Sequence, residues 1–180
     1  AAGTLIAITL WWSPAINRVL DPYLVVLNAL PKIALGPILI VWFGAGITSI
    51  IVMALLISFV VTIMSVLAGF NEITGEKQLL MKTLGASKLQ IFTMVVLPAS
   101  LPTIMNALKI SVGMSWVGVI VGEYLVSKAG LGYLIVYGGQ VFKLDLVMAS
   151  IVVLCLLAAL MYYGVAYMEK KLVRWRMHGG

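Results

Sequence analysis

The sequence predicts an all-α bundle of transmembrane helices, and two observations carry that prediction. Of its 180 residues, 63% are hydrophobic and only 10% are charged, and the mean hydropathy is +1.14. So few charges cannot cover the surface of a water-soluble globule. The apolar residues are also gathered into runs close to the roughly 20 residues that an α-helix needs to cross a bilayer core. We therefore expect one polytopic transmembrane domain over residues 1–180.

The apolar runs begin with a short one. Residues 1–12 are apolar but too few to cross the membrane, so we expect part of a helix whose remainder lies upstream. They lack the basic start of a cleavable signal peptide. Residues 13–22 are predicted to be a polar connector with proline near both ends, long enough for a turn and a short helix at the membrane interface. The first full span is residues 23–43, and Pro31 and Pro37 should leave it bent or discontinuous, because proline removes a helix hydrogen bond.

Three further apolar runs, residues 47–70, 105–126 and 144–168, predict three more spans. A glycine-rich connector over residues 127–143 separates the last two and favours a short helix at the membrane interface. Small residues recur at helical spacing in the run 105–126, and such residues let helices approach closely in a membrane. We expect them to mark helix packing, within the chain or against a second copy: Ser111, Ser115, Gly118 and Gly122.

One polar stretch, residues 72–102, interrupts the apolar pattern. A glycine within a helical pattern marks a break, and proline favours the first turn of a new helix. The stretch therefore predicts a helix, a bend and a second helix outside the bilayer. Its features come in a fixed order: Glu76 and Lys82, then Gly85-Ala86-Ser87, then Phe92, then Leu97-Pro98.

This order resembles the EAA loop of ATP-binding cassette (ABC) importer permeases. The resemblance implies the all-α type I importer permease fold, with two short coupling helices that dock into a groove on a cytoplasmic ABC ATPase. The positions that hold an acid and two alanines in the family hold Leu79, Leu80 and Met81 here, and the nearest acid is Glu76. The residues assigned to coupling by the resemblance are Glu76, Lys82, Gly85, Ala86, Ser87, Phe92, Leu97 and Pro98.

Two further segments are similar to permeases of the nitrate, sulfonate and taurine importers. They are residues 28–37 with Trp42-Phe43-Gly44, and Glu123 followed by Gly130-Leu131-Gly132. The resemblance implies a permease subunit that forms the pathway for a small anion or related solute. Its implied partners are the ATPase, a second permease chain, an extracytoplasmic substrate-binding protein and the lipid bilayer. The alternative, an ion channel or pore not driven by ATP, leaves residues 85–98 without a purpose.

The charges predict orientation rather than catalysis. The net charge of +6 is scattered at the ends of apolar segments, which disfavours nucleic-acid binding. Lysine and arginine concentrate in the connector 13–22, the stretch 72–102 and the C-terminal tail, so these should be cytoplasmic in a bacterial-type plasma membrane. No ATP-binding loop, metal-ligand cluster, cofactor motif or catalytic constellation is visible, and His178 stands alone in the tail. ATP hydrolysis must therefore come from a partner chain.

Two charged residues fall within or near the predicted spans, and each has two interpretations. Lys32 lies about 13 Å into its segment at 1.5 Å per residue, so it either reaches back to the cytoplasmic interface or lines an anion pathway. Glu123 lies near the outer end of its span. It either caps or pairs with a neighbouring element, or it forms part of a gate.

Overall fold

Helices make up all the regular secondary structure in the part of the chain that the computed structural model describes, residues 2–73 and 75–173. The all-α class predicted from the sequence is therefore confirmed. Thr74 and residues 174–180, which include His178, lie outside the described residues. The elements are α1 (Ala2–Trp12), α2 (Pro14–Ala29), a 3₁₀ turn (Lys32–Leu35), α3 (Gly36–Phe43), α4 (Ile47–Asn71), α5 (Gly75–Thr83), α6 (Lys88–Val126), α7 (Leu131–Gln140) and α8 (Leu144–Val173).

Three of the described helices are long and apolar enough to cross a membrane: α4, α6 and α8. The pair formed by α2 and the segment Lys32–Phe43 passes the same test together and would make a fourth, broken span. The break follows from Pro31, which has no backbone N–H and disfavours a helical conformation in the residue before it. Helix α2 accordingly ends at Ala29, two residues before this proline.

The boundary expected between the connector 13–22, with its short helix, and the span 23–43 is absent, because α2 runs from Pro14 to Ala29. Ser13 starts the helix: its Oγ accepts a hydrogen bond from the Ile16 N–H at 3.4 Å, and its carbonyl accepts one from the Asn17 N–H at 2.9 Å. Proline is favoured in the first helical position, where its missing N–H would have no partner. Pro22 is accommodated inside the same helix.

A second correction concerns the prolines at the end of the polar stretch. We expected the second helix of the polar stretch and the span 105–126 to be separate, but α6 runs without interruption from Lys88 through Pro98 and Pro102 to Val126. The residues Phe92–Val96 form a wider π-helical turn, in which the Leu97 N–H bonds to the Phe92 carbonyl five residues earlier. A proline ring normally clashes with the carbonyl four residues before it. Since that carbonyl belongs to the widened turn, we attribute the tolerance of Pro98 to it.

The described residues divide into two compact units. One comprises residues 2–28, 60–108 and 167–173, and the other comprises residues 29–59 and 109–166. In the first unit the largest fully buried side chains include Phe70, Leu10, Val66 and Val96. In the second unit the core is formed by Leu39, Met53 and Ile57, against which Val52, Leu56, Val121 and Leu125 pack.

Within the second unit, α4 and α6 approach each other almost backbone to backbone. A Cβ atom added at Gly118 would overlap the Ala54 Cα and lie 3.0 Å from the Ala54 nitrogen. A Cβ atom added at Gly122 would lie 2.9 Å from the Ile50 Cα. Two of the four small residues predicted to mark helix packing thus contact a helix of their own chain.

Candidate functional site

The bend in the polar stretch is built around Gly85, which ends α5. Gly85 has a φ of +80°, in the left-handed region that residues other than glycine rarely adopt. Its N–H donates to the Lys82 carbonyl at 3.0 Å, and the Ala86 N–H donates to the Met81 carbonyl at 2.9 Å. These two bonds form a Schellman motif, which satisfies the last carbonyls of a helix that ends in glycine.

The next helix begins immediately after this glycine, at a capping box formed by Ser87 and Gln90. The Ser87 Oγ accepts a hydrogen bond from the Gln90 N–H at 3.3 Å, and the Gln90 Oε1 accepts one from the Ser87 N–H at 2.8 Å. Such a reciprocal pair satisfies two N–H groups at a helix start. Gly85, Ala86 and Ser87 therefore stop one helix and start another within three residues. We call this segment the coupling turn.

Four leucine side chains around the coupling turn are exposed. These side chains lie in a polar stretch between apolar spans and outside the buried cores. So much exposed apolar surface in such a stretch is typical of a surface that another protein covers. Leu79 and Leu80 lie on α5, Leu84 lies directly before the coupling turn, and Leu89 lies at the start of α6. We call these four residues the leucine face: their exposed fractions are 62%, 61%, 74% and 60%.

Phe92, which the sequence placed among the coupling residues, lies inside the first unit and is only 7% exposed. Its ring centroid is 5.0 Å from that of Trp11, 6.1 Å from that of Trp12 and 5.7 Å from that of Phe70. Aromatic rings at these separations attract each other beyond the effect of burial alone. Phe92 therefore anchors the start of α6 to the ends of α1 and α4 instead of presenting its ring to a partner.

Lys88 adds a second connection between the coupling turn and α1. Its Nζ donates a hydrogen bond to the Trp12 carbonyl, the last residue of α1. The same ammonium lies 5.7 Å from the Trp11 ring centroid and 5.5 Å from the Trp12 ring centroid, within the range of cation–π attraction. Sequence reasoning interpreted the two tryptophans only as interfacial residues, because a contact across 76 positions leaves no local pattern.

Glu123 contacts the start of α7. Its Oε2 accepts a hydrogen bond from the Gly132 N–H at 2.7 Å, and a Cβ atom added at Gly130 would overlap its carboxylate. Gly130 also has a φ of +114°. A carboxylate at a helix N-terminus satisfies a free N–H and interacts favourably with the helix dipole. This geometry corresponds to the interpretation of Glu123 as a cap of a neighbouring helix. It also brings Glu123 together with Gly130 and Gly132.

The other predicted residues lie apart from the coupling turn. Lys32 is half-buried and is the first residue of the 3₁₀ turn. The Ser115 Oγ donates a hydrogen bond to the Ser111 carbonyl of the same helix at 2.8 Å. Leu97 and Pro98 are half-buried inside α6, whereas Glu76 and Lys82 are exposed on α5. No group of three or more His, Cys, Asp or Glu side chains among the described residues could hold a metal ion.

Comparison with known proteins gives a consistent result over nearly the whole chain. Residues 1–174 match the family described as "binding-protein-dependent transport system inner membrane component". The taurine transport system permease protein of Escherichia coli (strain K12) is 32% identical over 177 residues, which are 98% of this chain and 64% of that protein. The formylaminopyrimidine transport permease protein of Halalkalibacterium halodurans is 32% identical over 174 residues, which are 97% of this chain and 70% of that protein.

A third relative, the riboflavin transport system permease protein of Chloroflexus aurantiacus, is 29% identical over 160 residues, 89% of this chain and 60% of that protein. The chain thus spans about two thirds of the length of the curated relatives it matches. The match over residues 1–174 and the apolar helices show the family. The chain belongs to the inner membrane components of binding-protein-dependent transport systems.

Proposed function

We propose that the chain is the transmembrane permease subunit of an ABC importer and that the coupling turn receives the motion of a cytoplasmic ATPase. The observation that carries this proposal is the leucine face, which places four exposed leucines around a rigidly capped bend in the polar stretch. A pore without an ATPase would have no use for that surface. Burying one such side chain contributes about 1.5 to 3 kcal/mol, so four can support a stable contact.

The mechanism that follows is mechanical. When ATP binding draws the ATPase subunits together, α5 and the coupling turn move with them. The start of α6 moves too, because the coupling turn joins it directly to α5, and the contacts of Phe92 and Lys88 with the aromatic rings pass the motion on to α1. Since α6 continues without a break into its apolar part, the displacement reaches a membrane-spanning segment directly. Hydrolysis in the partner chain then resets the arrangement.

The remaining partners follow from the same role. We propose a homodimer of permease chains with the pathway between them, a substrate-binding protein outside, and the polar stretch and C-terminus in the cytoplasm of a bacterial-type cell. Relatives are named for taurine, formylaminopyrimidine and riboflavin, so about 30% identity does not select one solute. A small anion such as a sulfonate, taurine or nitrate, or a related solute, is the proposed substrate class.

The leucine face can be tested with the double variant Leu79→Asp and Leu80→Asp. Losing two buried leucine contacts should weaken the association with the ATPase by about a hundredfold or more. The measurement is copurification of the cognate ABC ATPase with the permease. The matched control is Leu144→Asp, an exposed leucine at the start of α8, and it should copurify the ATPase normally. Normal copurification with the double variant would contradict the proposal.

Lys32 gives a separate prediction about the pathway. If its ammonium attracts an anionic substrate, Lys32→Gln should lower uptake several-fold at low substrate concentration, while expression and ATPase association stay normal. A lysine that only reaches the interface predicts unchanged uptake. The matched control is Lys128→Gln, which removes an exposed cation elsewhere in the chain. Equal uptake by the Lys32 variant and wild type would exclude the pathway role.

A further inference from the structure

The first unit contains a cavity of about 510 Å³ beside the coupling turn. This volume falls within the roughly 300–1,000 Å³ of small-molecule sites. Residues of α1, α2, α4, α5 and α6 line it, and no aspartate or glutamate is among the lining residues that the structure describes. Two lysines and three amide side chains are among its lining residues: Lys82, Lys88, Asn17, Asn71 and Gln78.

The cavity lies where an apolar helix gives way to polar chain. Asn71, one of its lining residues, is the last residue of the membrane-spanning helix α4. Trp11, another lining residue, is of the type that concentrates at the depth of lipid headgroups. Apolar side chains, among them Leu10 and Ile91, complete the wall. The cavity therefore combines a basic polar part with an apolar part at the boundary of the bilayer.

The polar groups of the cavity define what would fit it. The Lys88 ammonium uses one of its three N–H groups on the Trp12 carbonyl and is held over two tryptophan rings, so it is a fixed cation with two donors left. Lys82 is an exposed cation at the end of α5. Asn17 has a buried Oδ1 atom that accepts no hydrogen bond from the residues that the structure describes. The complementary occupant carries a phosphate for the lysines and hydroxyl groups for the amides.

We propose that this cavity binds the headgroup of an anionic phospholipid of the phosphatidylglycerol type. A lipid fits better than a soluble phosphate ester because the wall is partly apolar and the cavity lies at the membrane boundary. Basic pockets between membrane helices bind anionic headgroups in this way, and each nearby lysine contributes about a fivefold change in binding. The site makes the coupling turn sensitive to the lipid composition of the membrane.

The test measures phosphatidylglycerol retained by the full-length permease in phosphatidylcholine nanodiscs, by native mass spectrometry. Lys82→Gln removes a cation from the cavity, and Gln78→Glu adds an anion of nearly the same shape. Each should weaken retention about fivefold. Lys88→Arg keeps both the charge and the tryptophan contact and should retain the lipid. Lys128→Gln, the control for general loss of charge, should also leave retention unchanged.

Three results would overturn the proposal. Retention by Lys82→Gln and Gln78→Glu equal to that of wild type would show that the cavity holds no headgroup. An equal loss in Lys128→Gln would reduce the effect to overall charge. Displacement of the lipid by inorganic phosphate would identify a soluble anion as the occupant. The assay requires no ATPase, ATP or transport, so its outcome is independent of the proposed importer function.

Discussion

Replacing Gly118 by leucine should destabilise the folded permease. The added Cβ would overlap the Ala54 Cα, and a backbone atom cannot rotate away as a side chain can. Overpacking of this kind costs about 1–3 kcal/mol or more, which corresponds to a fall of about 5 °C or more in the unfolding midpoint. The measurement is the midpoint of thermal unfolding in detergent, together with the yield of monodisperse protein.

Gly113 supplies a matched control on the same helix, since among the described residues a Cβ added there meets no atom within 4 Å beyond the adjacent backbone of its own helix. Gly113→Leu makes the same change in helix propensity and should leave the midpoint unchanged or raise it slightly. If Gly118→Leu and Gly113→Leu behave alike, α4 and α6 are not in close contact at Gly118. Cross-linking between two permease chains through the small residues of α6 would show that these residues contact a second copy: Ser111, Ser115, Gly118 and Gly122.

The second large effect is expected at Gly85, where Gly85→Val should separate ATP hydrolysis from transport. The backbone of Gly85 is in the left-handed region, which costs other residues about 1–2 kcal/mol and costs a β-branched residue more. Because a Cβ atom there meets no atom within 4 Å, the strain is purely conformational. The turn should reopen, and the leucine face should lose its shape while the permease stays in the membrane.

Asparagine distinguishes this explanation from a general effect of side-chain size. It tolerates the left-handed conformation far better than valine, so Gly85→Asn should retain most of the ATPase association that Gly85→Val loses. Both variants are compared by ATPase copurification and by substrate-stimulated hydrolysis. Equal losses in the two variants would mean that the glycine is needed for close approach of the partner rather than for its backbone angle.

Local patterns made the spans and the coupling turn predictable from sequence. Runs of apolar residues specify helices in a membrane because the backbone has no other way to satisfy its polar groups there. The order glycine, alanine, serine specifies a helix stop and a helix start through hydrogen bonds that reach only three to five residues. The sequence analysis placed helix boundaries near Pro98 and Pro22 that the structure does not have: a widened turn accommodates Pro98, and Pro22 lies inside α2.

Long-range contacts escaped the sequence analysis. Phe92 was expected to belong to the ATPase-coupling loop, and its burial against Trp11, Trp12 and Phe70 was not foreseen because these residues lie far away in the chain. Of the four residues of the leucine face, only Leu79 and Leu80 stood out in the sequence, as a departure from the acid-alanine-alanine pattern. The significance of the leucine face depends on the exposure of its side chains. The sequence pattern does not reveal that exposure in a chain where most residues are apolar.

The hydrogen bonds of the coupling turn have a kinetic consequence. Contacts between residues three to five positions apart form within microseconds, whereas contacts between distant residues must first close a long loop. The Schellman bonds and the capping box are of the first kind, and the Lys88–Trp12 bond, which spans 76 positions, is of the second. During synthesis the bend can therefore take its shape as soon as residues 81–90 are free of the ribosome, before the aromatic rings of α1 hold it in place.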